Sequence, residues 1–504
     1  MLRSPFSAKL WSSAGLLAGA LALALEWACS RVDDRVAFAP LALGDRLIRL
    51  APADAATFAI DTFGKTASNA LAVAVTIAFV AVGALLPAVT SSGGRTRSAI
   101  AGAVFALCLF GASVVAPVRP SVLAAAVVAA ASGLLYATSL RSLLVAADRS
   151  ADTQDADRRR ALLWVASSAF GLVLGGSLVG RLLRDGPDTA VALKRPTTPT
   201  PAPRGGGFPR VPGLPPDITP VADHYVVDID LEKPSVDAGD WRLRIGGLVE
   251  TPASLTFADL QRRFEVVEQV SVLTCISNPV GGPLIGNTAW TGVRLRDVLD
   301  AAGVQRRAVD VVFRGADDYD VSIPLARAMQ STALLALGQN GRPLTQEHGF
   351  PCRVRVPALY GMMNTKWVES IELVASNHEG YWAKRGWSEI GEVRTQSRID
   401  TPQQAQAGEP TWIAGIAWAG DRGISGVEVS VDAGRSWQPA MLARPRSQVA
   451  WTRWAYQWTP DREGSVRVLC RASDWKGRRQ DATERSPHPD GATGFHDTEI
   501  RVTS

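Results

Sequence analysis

The pattern of apolar and polar positions changes character twice along the 504 residues, and each change marks a boundary. Up to residue 184 the chain runs in long apolar stretches: Trp11–Cys29, Ala70–Val89, Ala99–Val118, Val122–Leu144 and Ala161–Leu183. Each approaches the roughly 20 apolar residues that a helix needs to cross hydrocarbon, so a helical membrane region of about five spans is predicted. Ser30–Asn69 is long and partly amphipathic, and an interfacial helix is expected around Leu41–Leu50. From 185 to 221 the pattern dissolves into a Pro/Gly-rich stretch containing KRPTTPTPAPRGGGFPRVPGLPPDITP, which predicts an extended, semi-rigid spacer with one flexible joint. Beyond it, apolar and polar positions alternate. Over 222–400, Ser254–Phe264, Leu295–Ala302 and Pro324–Met329 read as helices, and Val309–Phe313, Cys352–Val356 and Trp367–Val374 as strands, which makes an α+β domain. Over 401–504 short strands alternate with turns. There Val427, Val429 and Val431, then Val466, Val468, Cys470 and Ala472, point inward, which predicts an immunoglobulin-like β-sandwich with Cys470 as a core thiol.

Charge refines the membrane part. Arg3, Lys9, Arg95, Arg97, Arg141, Arg149 and the run Arg158–Arg160 fall on one side of five spans, which assigns that side to the cytoplasm. The protein is then a multi-pass protein of the cell membrane whose C-terminal two thirds lie outside. Arg31, Arg35, Arg46, Arg49 and Lys65, in the first loop, run against the rule. The arginine run before Ala161 fits a twin-arginine export signal or a plain positive flank. No histidine precedes His224, and Met1 is the only methionine before Met329, so the membrane region lacks the usual axial ligands and no haem is expected. No string of acids or bases marks a transport path, which favours an anchor over a transporter. The net charge of +5 is not arranged as a basic stripe with interleaved aromatics, so nucleic acid is not an expected partner. The five cysteines (29, 108, 275, 352, 470) show no CxxC pairing, which argues against a disulfide framework or a structural zinc site.

Two stretches carry candidate chemistry. In SVLTCISNPVGGPLIGNTAWTGVRL (Ser271–Leu295) a short alternating strand delivers Cys275 to the start of a loop rich in Gly, Pro and Asn. Such a loop supplies the backbone freedom needed to wrap a ligand. The thiol reads as a nucleophile, a metal-ligating thiolate or a small buried hydrophobe. In GQNGRPLTQEHGFPCRVRVPALYGMMNTKWVESIEL, His348, Arg353, Arg355 and Lys366 could hold a phosphate-bearing cofactor, or could form a solvated basic surface.

Together these stretches resemble the sulfite oxidase family of molybdopterin enzymes over about residues 219–504. TC-x-x-N followed by IGNTAWTGVRLRDVL is similar to its molybdenum-cysteine loop, and NGRPL-x-x-EHGFPCRVRVP to its pterin-binding run. IAGIAWAGDRGISGVEVSVDAGRSWQPA is similar to its dimerisation domain. The resemblance implies that Cys275 is the thiolate ligand of molybdenum, beside the cofactor's own sulfurs. His348 and Arg353 match pterin- and phosphate-binding positions, and Asn364, Thr365 and Lys366 match the loop that closes over the phosphate. Asp317 matches an acidic position on the pterin. Tyr225 to Asp228 fall where the family has an aromatic followed by Arg-Asn-His, but that Arg and His are missing. The family's basic pair after the cysteine loop asparagine is replaced by Pro279 and Val280 behind Asn278, and its active-site tyrosine by Leu337. A sulfite dianion would be poorly neutralised without those groups. Asn278, Trp290 and Tyr360 are candidates for shaping the substrate pocket. The expectation is a membrane-anchored, outward-facing molybdenum–molybdopterin oxidoreductase performing oxo transfer on a small sulfite-like or sulfoxide-like substrate. It would work with a separate electron-transfer partner and could be a homodimer. The alternative is a metal-free binding or sensor protein that keeps the fold.

Overall fold

A computed structural model describes residues 8–33, 36–51, 67–89, 94–114, 121–149, 191–200, 207–231 and 233–504. The predicted span at 161–183, the arginine run before it, Arg35 and Lys65 lie outside the described residues. The chain divides into two compact units, Met1–Pro187 with Asp228–Ser235, and Asp188–Val227 with Val236–Ser504.

The first unit contains helices α1 (Ala8–Val32), α2 (Ala39–Leu50), α3 (Ala67–Val89), α4 (Gly94–Val114) and α5 (Val122–Arg149). Four of these, all but α2, are long and apolar enough to cross a membrane. The sequence-predicted spans at 11–29, 70–89, 99–118 and 122–144 coincide with them to within a few residues, and α2 is the amphipathic segment expected near 41–50. Small residues let the helices approach. A Cβ on Gly15 would lie 2.4 Å from the Gly83 carbonyl, and one on Gly102 would lie 2.6 Å from that of Gly133, the close backbone packing that lipid-embedded helices use. Tyr136 donates its hydroxyl to the Gly83 carbonyl (2.5 Å). Among the described residues of this unit the acids Glu26, Asp45 and Asp230 are buried, and Glu26 of α1 accepts from Ser113 Oγ at 3.1 Å.

The second unit begins as an edge rather than a free spacer. Thr197 N–H donates to the Val266 carbonyl (2.9 Å), Thr198 bridges Val267 in parallel, and Thr219 N–H donates to the Asn287 carbonyl (2.8 Å). The proline-rich stretch, expected as an extended spacer, is laid, where it is described, along the sheet that follows. Its threonines and backbone amides find partners there, which a solvated spacer would have to take from water.

The α+β domain has strands β1 (Leu243–Gly247), β2 (Ala253–Leu255), β3 (Val266–Thr274), β4 (Ile285–Arg294), β5 (Asp310–Gly315), β6 (Asp320–Pro324), β7 (Leu334–Gln339), β8 (Arg342–Pro343), β9 (Arg353–Arg355) and β10 (Val368–Val374). They form two sheets, β2-β1-β10-β5-β6 and β3-β4-β7-β8 with β9 also paired to β7. Helix α6 (Phe257–Arg263) starts from a capping box in which Thr256 and Asp259 satisfy each other's backbone amides. Helix α7 (Leu295–Ala302) buries Leu295, Val298, Leu299 and Ala302 and stops at Gly303 in the left-handed region (φ 71°). The four-residue α8 (Leu325–Ala328) accounts for the helical segment expected at 324–329.

One expectation is corrected. Gly286 and Asn287, expected to belong to the loop after Cys275, lie in the ten-residue strand β4 (IGNTAWTGVR), paired with β3 over Ile285–Val293 and with β7 over its second half. Its alternation is masked because both faces are buried, so the burial pattern is nearly continuous.

The C-terminal part has strands β11 (Gln396–Thr401), β12 (Gln404–Gln406), β13 (Thr411–Trp418), β14 (Ile424–Ser430), β15 (Gln438–Pro439), β16 (Met441–Leu442), β17 (Thr452–Trp458), β18 (Gly464–Asp474) and β19 (His496–Thr503). They make two sheets, β11-β13-β17-β16 and β12-β19-β18-β14-β15. One core joins both, including Ile413 and Trp454 from the first and Val427, Val429, Val468, Cys470 and Ile500 from the second. Cys470 is fully buried there, as the alternation predicts.

Candidate functional site

Strand register collects the candidate side chains on one face of the sheet β3-β4-β7-β9. Directly opposed residues share a face. The pairs Gln269↔Trp290, Ser271↔Thr288 and Leu273↔Gly286, together with Trp290↔Gln339, Ala336↔Arg353 and Leu334↔Arg355, define one surface. Cys275 stands one residue past the end of β3 and packs with Tyr225, Leu273, Trp290, Ala336 and Phe350.

The loop after Cys275 is held by its own hydrogen bonds and by the C-terminal part. Cys275 N–H donates to the Leu284 carbonyl (3.0 Å), and Asn278 Oδ1 accepts from Leu284 N–H (2.8 Å). Asn278 therefore closes the loop, and that oxygen does not face a substrate. Arg398, itself paired with Asp400, donates to the Gly282 carbonyl at 2.8 Å. Gly281 is in the left-handed region (φ 74°) and lies against His496, whose ring a Cβ there would meet at 2.1 Å. The Cys275 thiol is 3.0 Å from Ser277 Oγ. Burial pushes its pKa up, and hydrogen bonds from the Ser277 side chain and the backbone amides of Ser277 and Ile276 act against that rise.

Two guanidinium groups belong to the same face. Arg353 donates to the carbonyls of His348 (3.1 Å) and Asn364 (3.3 Å). Arg355 donates to Asn364 Oδ1 (2.7 Å), Ser271 Oγ (3.0 Å) and the Val272 carbonyl (2.7 Å). Both stand over the Trp290 ring, at 5.3 and 5.5 Å. Neither pairs with a carboxylate among the described residues, and burial pulls their pKa values down to about 10 and about 9. Two buried cations without a counter-ion are costly unless an anion joins them.

The remaining candidates divide. Gly361 is the point where Tyr225 meets the cysteine: a Cβ there would lie 2.7 Å from Tyr225 Oη and 3.8 Å from Cys275 Cα. Gly315, where β5 meets β10, does the same for the closing loop, since a Cβ there would lie 2.4 Å from Asp317 Oδ1, 2.7 Å from the Lys366 carbonyl and 3.4 Å from Thr365 Cγ2. Lys366 is half-buried, 4.4 Å from the Trp367 ring, and donates to the Glu347 carbonyl (3.2 Å). Asn364 joins the two groups, but its amide is spent on Arg355, Val356 N–H and the carbonyls of Leu359 and Tyr360. It positions Arg355, and its side chain has no donor left for a phosphate. Trp290 is fully buried as the floor under the arginines. Tyr360 packs with Trp387, Trp418 and Trp451 in a second cluster, toward the C-terminal part. Asp228 belongs to the helical unit, with its carboxylate 3.9 Å from Lys233 Nζ.

Sequence reasoning missed His224. Its ring stacks on Tyr225 (5.3 Å, 20°) and meets Trp290 and His348 edge-on at 5.9 and 5.3 Å. Gly286 makes room for it, because a Cβ there would lie 2.5 Å from the imidazole. The available signal was a histidine directly before the aromatic at 225. Arg355 also belongs to the set, on the same face as Arg353 by the two-residue period of a strand.

The face has the polar chemistry of a cradle. His224 Nε2, Thr288 Oγ1, Arg353 Nε, Arg355 Nε, Thr365 Oγ1 and both amide atoms of Gln339 are buried without a protein partner. Buried polar atoms are otherwise almost always hydrogen-bonded, so their concentration around Trp290 marks the place of a polar, anionic ligand. A phosphate-bearing heterocycle fits that donor set. No three His, Cys, Asp or Glu residues converge among the described residues, so a metal at Cys275 would take its other donors from the ligand.

A family model described as the oxidoreductase molybdopterin binding domain matches residues 230–382, and one described as the Mo-co oxidoreductase dimerisation domain matches 388–484. Mitochondrial sulfite oxidase of Macaca fascicularis is 33% identical over 295 residues, covering 48% of this chain and 54% of that protein. The chain thus spans about half the length of that relative. A nitrate reductase [NAD(P)H] of Hordeum vulgare is 31% identical over 285 residues, 45% of this chain and 32% of that one. The uncharacterized oxidoreductase YuiH of Bacillus subtilis (strain 168) is 35% identical over 163 residues, 32% of this chain and 80% of that protein. Both domain models fall on the two parts built above, with Cys275, His348 and Arg353 inside the first. The chain belongs to the sulfite oxidase family of molybdopterin-dependent oxidoreductases.

Proposed function

We propose that this chain is a membrane-anchored oxidoreductase that would hold molybdenum–molybdopterin through Cys275 and act by oxo transfer on a small substrate outside the cytoplasm. The observation that carries this is the face around Trp290, where a buried thiol, two buried arginines without carboxylates and a cluster of unsatisfied polar atoms converge. The bound cofactor would supply the two-electron, oxygen-atom-accepting or -donating centre. This chain's residues supply the rest. Cys275 must lose its proton to become a ligand, and the Ser277 hydroxyl and loop amides favour the thiolate. Arg353 and Arg355 neutralise the anionic end, while His348 sits edge-on against His224. Thr365 and Lys366 would close the loop over it, with Asp317 beside them. Tyr225 would be a contact to the pterin. Tyr225 stays a neutral phenol, because burial first and the nearby Cys275 second push its pKa well up.

The substrate approaches beside Pro279 and Val280, where a cleft of about 580 Å³ opens against Arg485, Phe495, His496 and Asp497 of the C-terminal part. Arg485 is occupied by Asp481 (3.0 Å), and Asn278 is committed to the loop, so this entrance favours a weakly charged, sulfoxide-like substrate over a sulfite dianion. The C-terminal part would be the homodimer contact, with an immunoglobulin-like fold. Residues 161–183 would be the fifth span, and electrons would pass to a separate protein.

The test is elemental and pterin analysis of the purified full chain, followed by a dye-linked assay with sulfite and with methionine sulfoxide. Stoichiometric molybdenum and turnover of the sulfoxide are expected. Cys275→Ser is nearly isosteric and should fold, yet abolish turnover; a variant that still turns over would refute the ligand assignment.

A further inference from the structure

The arginines explain how an anionic end would be held, but they leave two other buried groups unexplained. His224 Nδ1 lies 3.2 Å from the Tyr225 carbonyl. A carbonyl only accepts, so Nδ1 carries the proton and Nε2 is left as a bare lone pair. That Nε2 is buried without a partner. Gln339, directly opposite Trp290 on β7, is 1% exposed, and neither its carbonyl oxygen nor its NH₂ has a partner. An acceptor nitrogen and a complete amide, all unsatisfied on the face that carries Trp290, do not suit a phosphate, which offers only acceptors. They suit a heterocycle that presents N–H donors beside a ring carbonyl or nitrogen.

We infer that His224 and Gln339 read the hydrogen-bonding edge of the cofactor's pterin, with His224 Nε2 accepting one N–H and the Gln339 amide both donating and accepting. Arg353 and Arg355 would then select the anionic end, and the two sets together would fix which way round the cofactor enters, with its metal-bearing end toward Cys275. Gly286 is part of the device, since any Cβ there displaces the imidazole. This inference rests on the reading of the face as a cofactor cradle.

The test uses the full chain with His224→Phe, which keeps the stacked ring but removes both nitrogens, and Gln339→Met, which keeps the length but removes the amide. Co-purified pterin, measured by fluorescence after oxidative release, should fall about tenfold in each variant, the scale of losing one partner of a buried polar pair. The melting temperature of cofactor-stripped protein should be no lower than that of the stripped wild type, because each variant removes unsatisfied buried atoms. Variants that hold wild-type pterin would overturn the inference, while wild-type protein without molybdenum or pterin would instead overturn the cradle itself. Should both variants lower the stripped protein's melting temperature, the unmodified chain decides through ¹⁵N-labelled histidine, of which it has only five. The His224 Nε2 resonance must move on cofactor loading, and an unmoved resonance sinks the inference.

Discussion

At the scale of single residues, the site is a contest between burial and charge, and His224 shows which wins. Its pKa is lowered from 6.5 to about 3, by burial first and then by His348, Arg353 and Arg355, with the Tyr225 carbonyl opposing. A base whose folded pKa is depressed contributes its full stability above pH 6.5 and loses it progressively as the pH falls from 6.5 toward 3. Cofactor-stripped wild type should therefore lose stability relative to His224→Phe by roughly 1.4 kcal/mol for each pH unit below 6.5. Urea midpoints at pH 7.5 and 5.0 measure this, and parallel curves would mean that the imidazole is not buried neutral. Cys275, Arg353, Thr365 and Lys366 stood out as candidates in the sequence because each lies in one of two short contiguous motifs. His224 was not, because what draws attention to it is its contact with Trp290, 66 positions away, and a bare patch at Gly286. Asn364 was legible as a site residue and illegible in its role, since only coordinates show that its amide is consumed by Arg355.

At the scale of elements, the central fact is that β4 is a strand. The stretch holds Gly286, Asn287 and Gly292, residues that usually punctuate loops, and tertiary pairing overrides that signal. Gly286 admits His224, and Asn287 Nδ2 donates to the Asp217 carbonyl (2.8 Å). Gly292 lies where the register with β7 shifts, and a Cβ there would fall 2.1 Å from the Leu335 carbonyl. Backbone cannot yield as a side chain can, so Gly292→Ala should destabilise by about 2–3 kcal/mol, as overpacking does, and lower pterin content with it. Gly246 of β1 has open space around its Cα, so Gly246→Ala should change stability by less than about 0.5 kcal/mol. Denaturant midpoints of the two variants form the comparison, and equal shifts would show that the β4–β7 contact is not tight. The helices were more legible than the sheets: α7 was located to the residue by its 3.6-residue spacing and its terminal glycine.

At the scale of the whole chain, the open matter is which side of the membrane the catalytic half occupies, and parity decides it. Taken from a cytoplasmic N-terminus, α1 leads out, α3 in, α4 out and α5 in. Arg95 and Arg97 near the start of α4 and Arg141 in the last third of α5 then stand toward the cytoplasm, where positive residues are retained. Four spans would leave residues 191–504 inside, and a fifth at 161–183 would place them outside. The arginine run before 161 favours the fifth, because three adjacent cations at the start of an apolar stretch resist translocation and orient that stretch outward. Epitopes at the two termini should therefore report opposite sides: in intact spheroplasts antibody should reach a tag after Ser504, and reach one before Met1 only after permeabilisation. Tags accessible on the same side would show that 161–183 does not cross. The substrate and the electron-transfer partner would then have to be sought in the cytoplasm, with the Trp290 face unchanged. The cradle is built wholly within 219–504, so topology decides what the site meets without altering how it binds.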